Sequence, residues 1–276
     1  MLWLLQNNYV QAMTGRLARA LHHTGQTLLD FSIKPDEDFP LEPSLALTPH
    51  FCYGSTGMLR RLRKSPSWCA GIFGTEDSLD QRYWQVHLSS LLLNPEQEIL
   101  TFEALCARPF TQPYFVRPLT EQKAFGGQVV SSLDLTGLSQ GRKGVLHKQS
   151  PSMLVAVSPV VANIHAEYRF VILNGEARLG SQYRRAGQLD ISPVVAEHIW
   201  QQAQIFAGGW MPADFIVMDM AVLHNGECRV IEFNSVHSSG LYAIDAGEFA
   251  TVVEEAVALR NSTLVSSSHT QFLFIN

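Results

Sequence analysis

Cysteine is scarce in this sequence of 276 residues, and the four cysteines lie far apart along the chain. They are Cys52, Cys69, Cys106 and Cys228, and no two of them form a CxxC pair. This spacing argues against a disulfide framework and against a cysteine zinc site, and it fits a reducing compartment. We therefore expect a protein without structural disulfides.

Charge is also sparse, because charged residues make up 16% of the chain and the formal net charge is −5. No overall basic field points to nucleic acid as a partner. We interpret the one basic cluster as a solvated helix end rather than as a phosphate contact. It consists of Arg60, Arg61, Arg63 and Lys64.

Long hydrophobic runs are missing at the N-terminus, where the apolar run Met1–Leu5 leads directly into Gln6. Such a run is too short for a membrane span or for the core of a signal peptide. A first buried strand explains it better. We expect a cytoplasmic protein with no membrane partner.

The length and the apolar fraction of 46% are sufficient for two lobes. In the N-terminal part, predicted strands at 3–5 and 27–33 alternate with helices at 10–22 and after the Gly54–Gly57 turn, which is typical of an α/β lobe. That turn predicts either an anion site or an ordinary N-cap, and we favour the N-cap. Further helices are predicted over 79–93 and 96–105.

Strands dominate after residue 108, where we place the boundary between an N-terminal lobe, 1–107, and a second region, 108–276. Two helices are predicted in the second region, near 192–206 and 246–260. The predicted strands cover 114–117, 128–133, 153–157, 168–173, 177–183, 215–221 and 227–233.

Two apolar runs in the second region each carry an acid. Asp219 ends one run, Glu232 ends the other, and Asn234 follows two positions later. Strand alternation places Glu232 and Asn234 on one face, and a hairpin through 224–227 would bring Asp219 beside them. The alternative is a turn acid and a solvated face. We favour a magnesium site, because oxygen ligands suit Mg²⁺ and buried unpaired carboxylates are costly.

Basic residues at strand ends supply the opposite charge. Arg117 ends a strand just before Pro118, and Lys123 precedes a Gly126-Gly127 turn. These side chains either hold phosphates or lie on the surface.

A predicted hairpin carries a further acid and two further arginines. Glu167 and Arg169 share one face of a strand that leads into an Asn174-Gly175 turn, a strong hairpin signal, and Arg184 follows on the next strand. Glu167 and Arg169 form an internal ion pair, or they bind the hydroxyls and phosphates of a nucleotide together with Arg184. The residues themselves leave both interpretations open.

The order of these elements resembles the ATP-grasp superfamily of carboxylate–amine/thiol ligases, and it is most similar to short phage- and bacteria-associated members. The resemblance covers roughly residues 108–260. It rests on FVRP at 115–118, KAFGG at 123–127, LVAVSPVV at 154–161, EYRFVILNG at 167–175, Asp219, EFN at 232–234 and SGLY at 239–242.

The resemblance implies an α/β (α+β) ATP-grasp fold, with an N-terminal α/β lobe and a two-subdomain region built on antiparallel sheets. It also implies two cofactors, ATP and Mg²⁺. The implied Mg²⁺ ligands are Asp219, Glu232 and Asn234. The implied ATP contacts are Arg117, Lys123, Val155, Val157, Ser158 and Glu167.

By the same resemblance, Arg169 and Arg184 would stabilise an acyl phosphate, and Ser239 and Gly240 would lie near the acceptor substrate. The chain departs from the family pattern at two places. Arg117 stands where the family usually has lysine, and the linker at 157–159 lacks an acidic residue that many members have.

The implied function is an ATP- and Mg²⁺-dependent ligase that joins a carboxylate to an amine through an acyl phosphate. Its partners would be small-molecule or peptide carboxylates and amines. The alternatives are a non-catalytic nucleotide-binding regulatory module and a kinase that uses the same site. No motif specifies the substrates or the oligomeric state, and Lys148 and His237 are additional candidates for the site.

Overall fold

The computed structural model of the chain describes residues 1–34, 41–109, 111–119, 125–131 and 149–271. These residues form three β-sheets with helices packed against them. Lys123 and Lys148, which the sequence analysis singled out, lie outside the described residues. No helix in the described ranges has both the length and the apolar character that a membrane span requires.

The N-terminal sheet is parallel, with the strand order β2-β1-β3. Its strands are β1 (Leu2–Gln6), β2 (Thr27–Phe31) and β3 (His50–Tyr53). The central strand β1 is buried at every position because helices cover both faces. Trp3 and Leu5 pack on α1 (Gln11–His23), whereas Leu2 and Leu4 pack on α2 (Thr56–Lys64). The predicted α/β character of this lobe is confirmed.

Helix α2 begins at the turn for which the sequence left two readings open. The Ser55 side chain accepts a hydrogen bond from the Met58 amide at 3.1 Å, so Ser55 is an ordinary N-cap.

The middle sheet is antiparallel, with the strand order β4-β7-β5-β6. Its strands are β4 (Glu98–Thr101), β5 (Tyr114–Pro118), β6 (Gln128–Val130) and β7 (Leu154–Pro159). Two short helices accompany it, α3 (Gln81–Leu88) and α4 (Phe102–Ala107).

The helix predicted over 96–105 is wrong in its first half, where β4 forms instead. The reason is long-range pairing, since Leu100 lies opposite Val155 in the sheet and Thr101 then caps α4. Because β4 joins the sheet that contains β5 and β7, we propose that the change of lobe precedes β4 and does not lie near residue 108.

The large sheet is antiparallel, with the strand order β10-β9-β8-β11-β12. Its strands are β8 (Ile164–Leu173), β9 (Glu176–Arg185), β10 (Gln188–Ser192), β11 (Phe215–Leu223) and β12 (Cys228–Asn234). The predicted Asn174-Gly175 turn joins β8 to β9, and both residues have positive φ, 49° and 79°.

Helices cover both faces of the large sheet, and β11 is therefore buried at every position. On one face, Phe215 and Val217 pack in the same hydrophobic cluster as α6 (Ala246–Gln271). On the other face, Ile216 and Met218 pack with α5 (Glu197–Ala207). A polar side chain on β11 is thus surrounded by apolar packing.

Candidate active site

A cavity of about 440 Å³ lies between the middle and large sheets. The middle sheet contributes β5 and the residues that follow it, and the large sheet contributes β8, β9, β11 and β12. Its polar lining brings together most of the predicted site. These residues are Arg117, Glu167, Arg169, Arg184, Asp219, Glu232 and Asn234.

The β11–β12 hairpin places the three predicted oxygen ligands side by side. Asp219 lies directly opposite Glu232 in the register of the two strands. The Asn234 amide nitrogen donates to Glu232 Oε1 at 3.0 Å and to Asp219 Oδ2 at 3.3 Å. The side-chain oxygens of Asp219 and Glu232 therefore converge on one point.

Arg169 binds Asp219 through a two-point ion pair in the floor of the cavity. Its Nε donates to Oδ1 at 2.8 Å and its Nη2 to Oδ2 at 2.7 Å, while Nη1 donates to the Gly240 carbonyl at 2.9 Å. The two side chains are 9% and 3% exposed. Burial raises the pKa of Asp219 even though Arg169 acts to lower it. All three guanidinium nitrogens of Arg169 thus have acceptors.

A second ion pair crosses the cavity from one sheet to the other. Arg117 on β5 donates to Glu232 Oε2 on β12 at 2.8 Å. The Arg117 guanidinium also lies over the indole ring of Trp84, 5.7 Å from its centroid. Sequence reasoning missed Trp84, because a tryptophan on an amphipathic helix gives the same signal as any core residue.

The third ion pair joins Arg184 on β9 to Glu167 on β8, with Nη1 3.3 Å from Oε1. The Arg184 side chain is 46% exposed, far more than Arg169. Glu167 and Arg169 do not pair with each other, so the simplest internal pair considered from the sequence is absent. Each acid of the cavity lining is instead matched by a different arginine.

Two stacked tyrosines form an aromatic wall beside Arg169. The rings of Tyr183 and Tyr242 lie 4.8 Å apart and within 12° of parallel. The Arg169 guanidinium lies 4.9 Å from the centroid of Tyr242 and 5.8 Å from that of Tyr183. Burial raises the pKa of both hydroxyls, so both are protonated at neutral pH. Tyr183 was missed by the sequence analysis, because an aromatic residue on a strand usually indicates core.

The backbone at Tyr242 is unusual, with a φ of 47°. A bulky residue in this conformation is strained and persists only when its surroundings hold it. Arg16 on α1 provides such a contact, since its guanidinium donates to the carbonyls of Tyr242 at 2.5 Å and Ile244 at 3.0 Å. The N-terminal lobe therefore helps to shape this wall of the cavity.

Several predicted site residues do not line the cavity. Val155 and Val157 pack in the hydrophobic core of the middle sheet, and Ser158 on the same strand is buried. Ser239 is buried, and its hydroxyl donates to the Ser235 carbonyl at 2.6 Å. Gly240 meets the site only through the carbonyl that accepts from Arg169.

His237, a further candidate from the sequence, is buried away from the cavity. Its Nδ1 donates to the Cys52 carbonyl at 2.7 Å, and its Nε2 accepts from the Phe73 amide at 2.8 Å. Burial lowers the pKa of His237 to about 3. The residue is therefore neutral and structural.

The cavity could hold a hard cation and an anionic ligand together. In the part of the chain that the structure describes, no group of three or more His, Cys, Asp or Glu side chains is arranged as a metal site. The oxygen donors here are two carboxylates and one amide, Asp219, Glu232 and Asn234. Carboxylate and amide oxygens are ligands that Mg²⁺ accepts, and arginines suit phosphate.

Comparison with known families identifies the fold. Residues 96–252 match an ATP-grasp domain family, the second family of its clade. Because the match covers more than half of the chain, the protein belongs to this ATP-grasp family. The match begins just before β4.

Solved structures of low sequence identity share the fold. D-cycloserine synthetase DcsG is 14% identical with a TM-score of 0.59, covering 93% of this chain and 99% of that chain. D-alanine–D-alanine ligase from Bacillus anthracis, complexed with ATP, is 13% identical with a TM-score of 0.54, covering 95% and 99%. The ATP-grasp ligase PsnB, complexed with a minimal precursor, is 12% identical with a TM-score of 0.52, covering 92% and 98%.

No curated protein matches this chain in a sequence search. Together, the family and its structural neighbours point to an ATP-grasp ligase.

Proposed function

We propose that this ATP-grasp protein is an ATP-dependent ligase that joins a carboxylate to an amine through an acyl phosphate. The observation that carries the proposal is the cavity between two sheets, where three arginines and three acids meet with Asn234. Acyl transfer by this route requires positioning and charge neutralisation more than covalent participation by the protein. The lining residues supply both.

Asp219, Glu232 and Asn234 would hold Mg²⁺ in this proposal. The donor set fits, because each carboxylate oxygen has two lone pairs and therefore keeps acceptor capacity beside its arginine. The Asn234 amide, which now donates to both carboxylates, would present its oxygen instead after a flip about χ2. When bound, Mg²⁺ would neutralise phosphate charge and orient the transferred group.

ATP would change the partners of the ion pairs. We propose that Arg117 leaves Glu232 and binds phosphate, with Lys123 assisting it. Arg184 is also suited to phosphate or acyl phosphate, because its guanidinium is half-exposed and its bond to Glu167 is long, 3.3 Å. Glu167 would then accept from the ribose, and the backbone of Val155, Val157 and Ser158 would read the adenine.

Arg169 would act in a different way from Arg184. Its three nitrogens already serve Asp219 and the Gly240 carbonyl, so we propose that it orients a metal ligand and the 239–242 turn. Ser239 and Gly240 would shape the substrate pocket from behind. Tyr183 and Tyr242 would form its wall.

In the reaction, an oxygen of the substrate carboxylate would attack the γ-phosphorus of ATP, and ADP would leave. The nitrogen of the amine would then attack the acyl carbon, phosphate would leave, and the nitrogen would lose a proton. Structurally similar proteins include a D-alanine–D-alanine ligase and a ligase complexed with a minimal precursor. Amino acids and peptides are therefore the first substrates to test.

Release of ADP and phosphate in the presence of Mg²⁺, measured with a panel of amino acids and dipeptides, tests the proposal. We expect Glu232→Ala to lower turnover by about 100-fold or more, because a group that balances transition-state charge is lost. Glu227→Ala is the matched control, since Glu227 is exposed in the turn of the same hairpin. Unchanged turnover in Glu232→Ala would show that the metal assignment is wrong.

Mass spectrometry of the products separates the ligase from its two rivals. A product with a new amide bond supports the ligase. A stable phosphorylated hydroxyl product supports a kinase. ATP binding without ADP release from any substrate supports a regulatory module, and calorimetric titration with an ATP analogue, with and without Mg²⁺, measures that binding directly.

A further inference from the structure

A second and larger cavity, of about 880 Å³, lies apart from the active-site cavity. Its walls come from the 69–78 segment, the β8–β9 turn, residues 211–215 and the part of α6 between 256 and 262. Within the described ranges, none of its lining residues also lines the active-site cavity. Pockets that bind small molecules usually have volumes of about 300–1,000 Å³, so the size suits a ligand.

Arg63 gives this cavity an unsatisfied donor pair. Arg63 lines the cavity, and its Nε and Nη2 atoms are buried without a hydrogen-bond partner among the described residues. The basic cluster on α2 was predicted to be a solvated helix end. That prediction holds for the exposed Arg60 and Lys64, but it is wrong for Arg63. Buried N–H groups without acceptors are rare in folded proteins and require an explanation.

The two unpaired atoms form the edge that this protein uses elsewhere to bind carboxylates. Arg169 binds Asp219 through Nε and Nη2, and Arg82 binds Asp80 through the same two atoms. This side-on fork matches the two oxygens of a carboxylate. The chemistry missing at Arg63 is therefore that of a carboxylate.

Arg260, the other arginine of the lining, is already engaged. Its Nη1 donates to the Ile72 carbonyl at 2.6 Å, and its guanidinium lies 4.8 Å from the centroid of the Phe73 ring. The acids of the lining, Glu76 and Asp214, are exposed and would disfavour a second negative charge near the mouth. One anionic group is thus the most that this cavity favours.

The remainder of the lining is largely apolar and would surround the body of a ligand. Ile72, Phe73 and Phe215 are buried, and Met211 and Leu259 also contribute. Such surfaces favour an aliphatic or aromatic group over a polar one.

We propose that this second cavity binds a small molecule with one carboxylate on an apolar body, and that the carboxylate pairs with Nε and Nη2 of Arg63. The site is separate from the ATP site. Binding here does not displace a nucleotide, because the two linings share no described residue.

Calorimetric titration with 4-phenylbutanoate tests the proposal on the full chain. We expect saturable binding with a Kd of about 1 mM or tighter. The uncharged 4-phenylbutan-1-ol and the cationic 4-phenylbutylammonium should bind at least about tenfold more weakly, since neither can accept from both nitrogens. Saturating ATP analogue with Mg²⁺ should leave the 4-phenylbutanoate affinity unchanged.

Arg63→Met should weaken binding of 4-phenylbutanoate at least about tenfold, because it removes the fork and keeps an apolar side chain. Arg60→Met is the matched control, as Arg60 is exposed on the same helix and does not line the cavity. Thermal unfolding verifies that each variant is folded. Should Arg63→Met fail to fold, Ala213→Leu provides a second test, because it fills part of the cavity and should abolish binding.

Two outcomes overturn the proposal. One is equal affinity for 4-phenylbutanoate in the wild type and in folded Arg63→Met or Ala213→Leu. The other is the absence of saturable binding to the wild type at concentrations up to about 10 mM. Displacement by the ATP analogue assigns the probe to the active-site cavity and also overturns it.

Discussion

Two arginines in two cavities of this protein present the same edge and meet different surroundings. In the active-site cavity, Nε and Nη2 of Arg169 bind the Asp219 carboxylate. In the second cavity, the same atoms of Arg63 are buried and have no partner among the described residues. The first cavity therefore balances its own charges, so its ligands must replace existing partners. The second cavity has a donor pair that only a ligand can satisfy.

The ion pairs of the active-site cavity also differ among themselves. Arg169–Asp219 is almost completely buried, whereas Arg184–Glu167 is partly solvated. A buried pair is costly to break from one side, but a solvated pair contributes little. We therefore expect the buried pair to maintain the site and the solvated pair to exchange with substrate.

The largest effect should come from breaking the buried pair. Arg169→Met leaves Asp219 as an uncompensated buried charge, and we expect a loss of about 3–5 kcal/mol in the free energy of unfolding. Urea denaturation measures it. The double variant Arg169→Met/Asp219→Leu should recover most of the loss. Arg178→Met is the control, because the Arg178–Glu255 pair is partly exposed and should contribute at most about 1 kcal/mol.

The next effect concerns pH and His237, which hydrogen-bonds to Phe73 of the second cavity. Burial lowers the pKa of His237 from 6.5 to about 3, and Arg63 and Arg260 act in the same direction. Below pH 6.5 the unfolded chain binds a proton that the folded chain does not, so stability falls with falling pH until about pH 3. Between pH 6.5 and about 4.5 this contributes a loss of about 2 kcal/mol.

The free energy of unfolding at these two pH values, measured for the wild type and for His237→Gln, isolates the contribution. The variant should be less stable overall but should lose about 2 kcal/mol less on acidification. Other titrating groups act equally on both proteins and cancel in the difference. Parallel pH profiles would contradict the assignment.

A smaller effect, of opposite sign, is expected at the second cavity. Without ligand, Arg63→Met should raise the free energy of unfolding by about 1 kcal/mol, because it removes two buried donors that have no acceptor. Arg169→Met is the direct counterpart, and the two substitutions should shift the urea midpoint in opposite directions. A loss at Arg63 as large as that at Arg169 would mean that Arg63 has a partner after all.

The smallest effect on stability should come from the solvated pair. Arg184→Met should cost about 0.2–1 kcal/mol, because the Arg184 side chain is 46% exposed. Turnover with the best substrate should fall much more than stability if Arg184 binds phosphate. A variant that is normal in both measurements would remove Arg184 from the proposed site.

Local patterns predicted much of the large sheet. The acid-bearing runs do form a hairpin, and the Asn174-Gly175 turn joins the strands that flank it. These features depend on residues close in sequence, where side-chain alternation and turn chemistry decide the structure. Local pattern failed at β4, since the pairing of Leu100 with Val155 overrode a helix-like segment.

Which acid pairs with which arginine could not be predicted. Arg117 and Glu232 are 115 residues apart, and Arg169 and Asp219 are 50 apart. From the sequence, Glu167 and Arg169 were the obvious pair, because they share a strand face. The register of β8 with β11 and β9 gave each of them a different neighbour instead.

The amino-acid sequence alone specified the chemistry available to this protein. Alternation along strands and the residue types Asp219, Glu232, Asn234, Arg117, Glu167 and Arg169 were enough to predict an ATP-grasp fold. The folded chain was needed to reveal that three ion pairs balance one cavity and that Arg63 lacks a partner among the described residues in another. The physical reason is that charge pairing and burial depend on contacts between distant strands and helices, which no local pattern encodes.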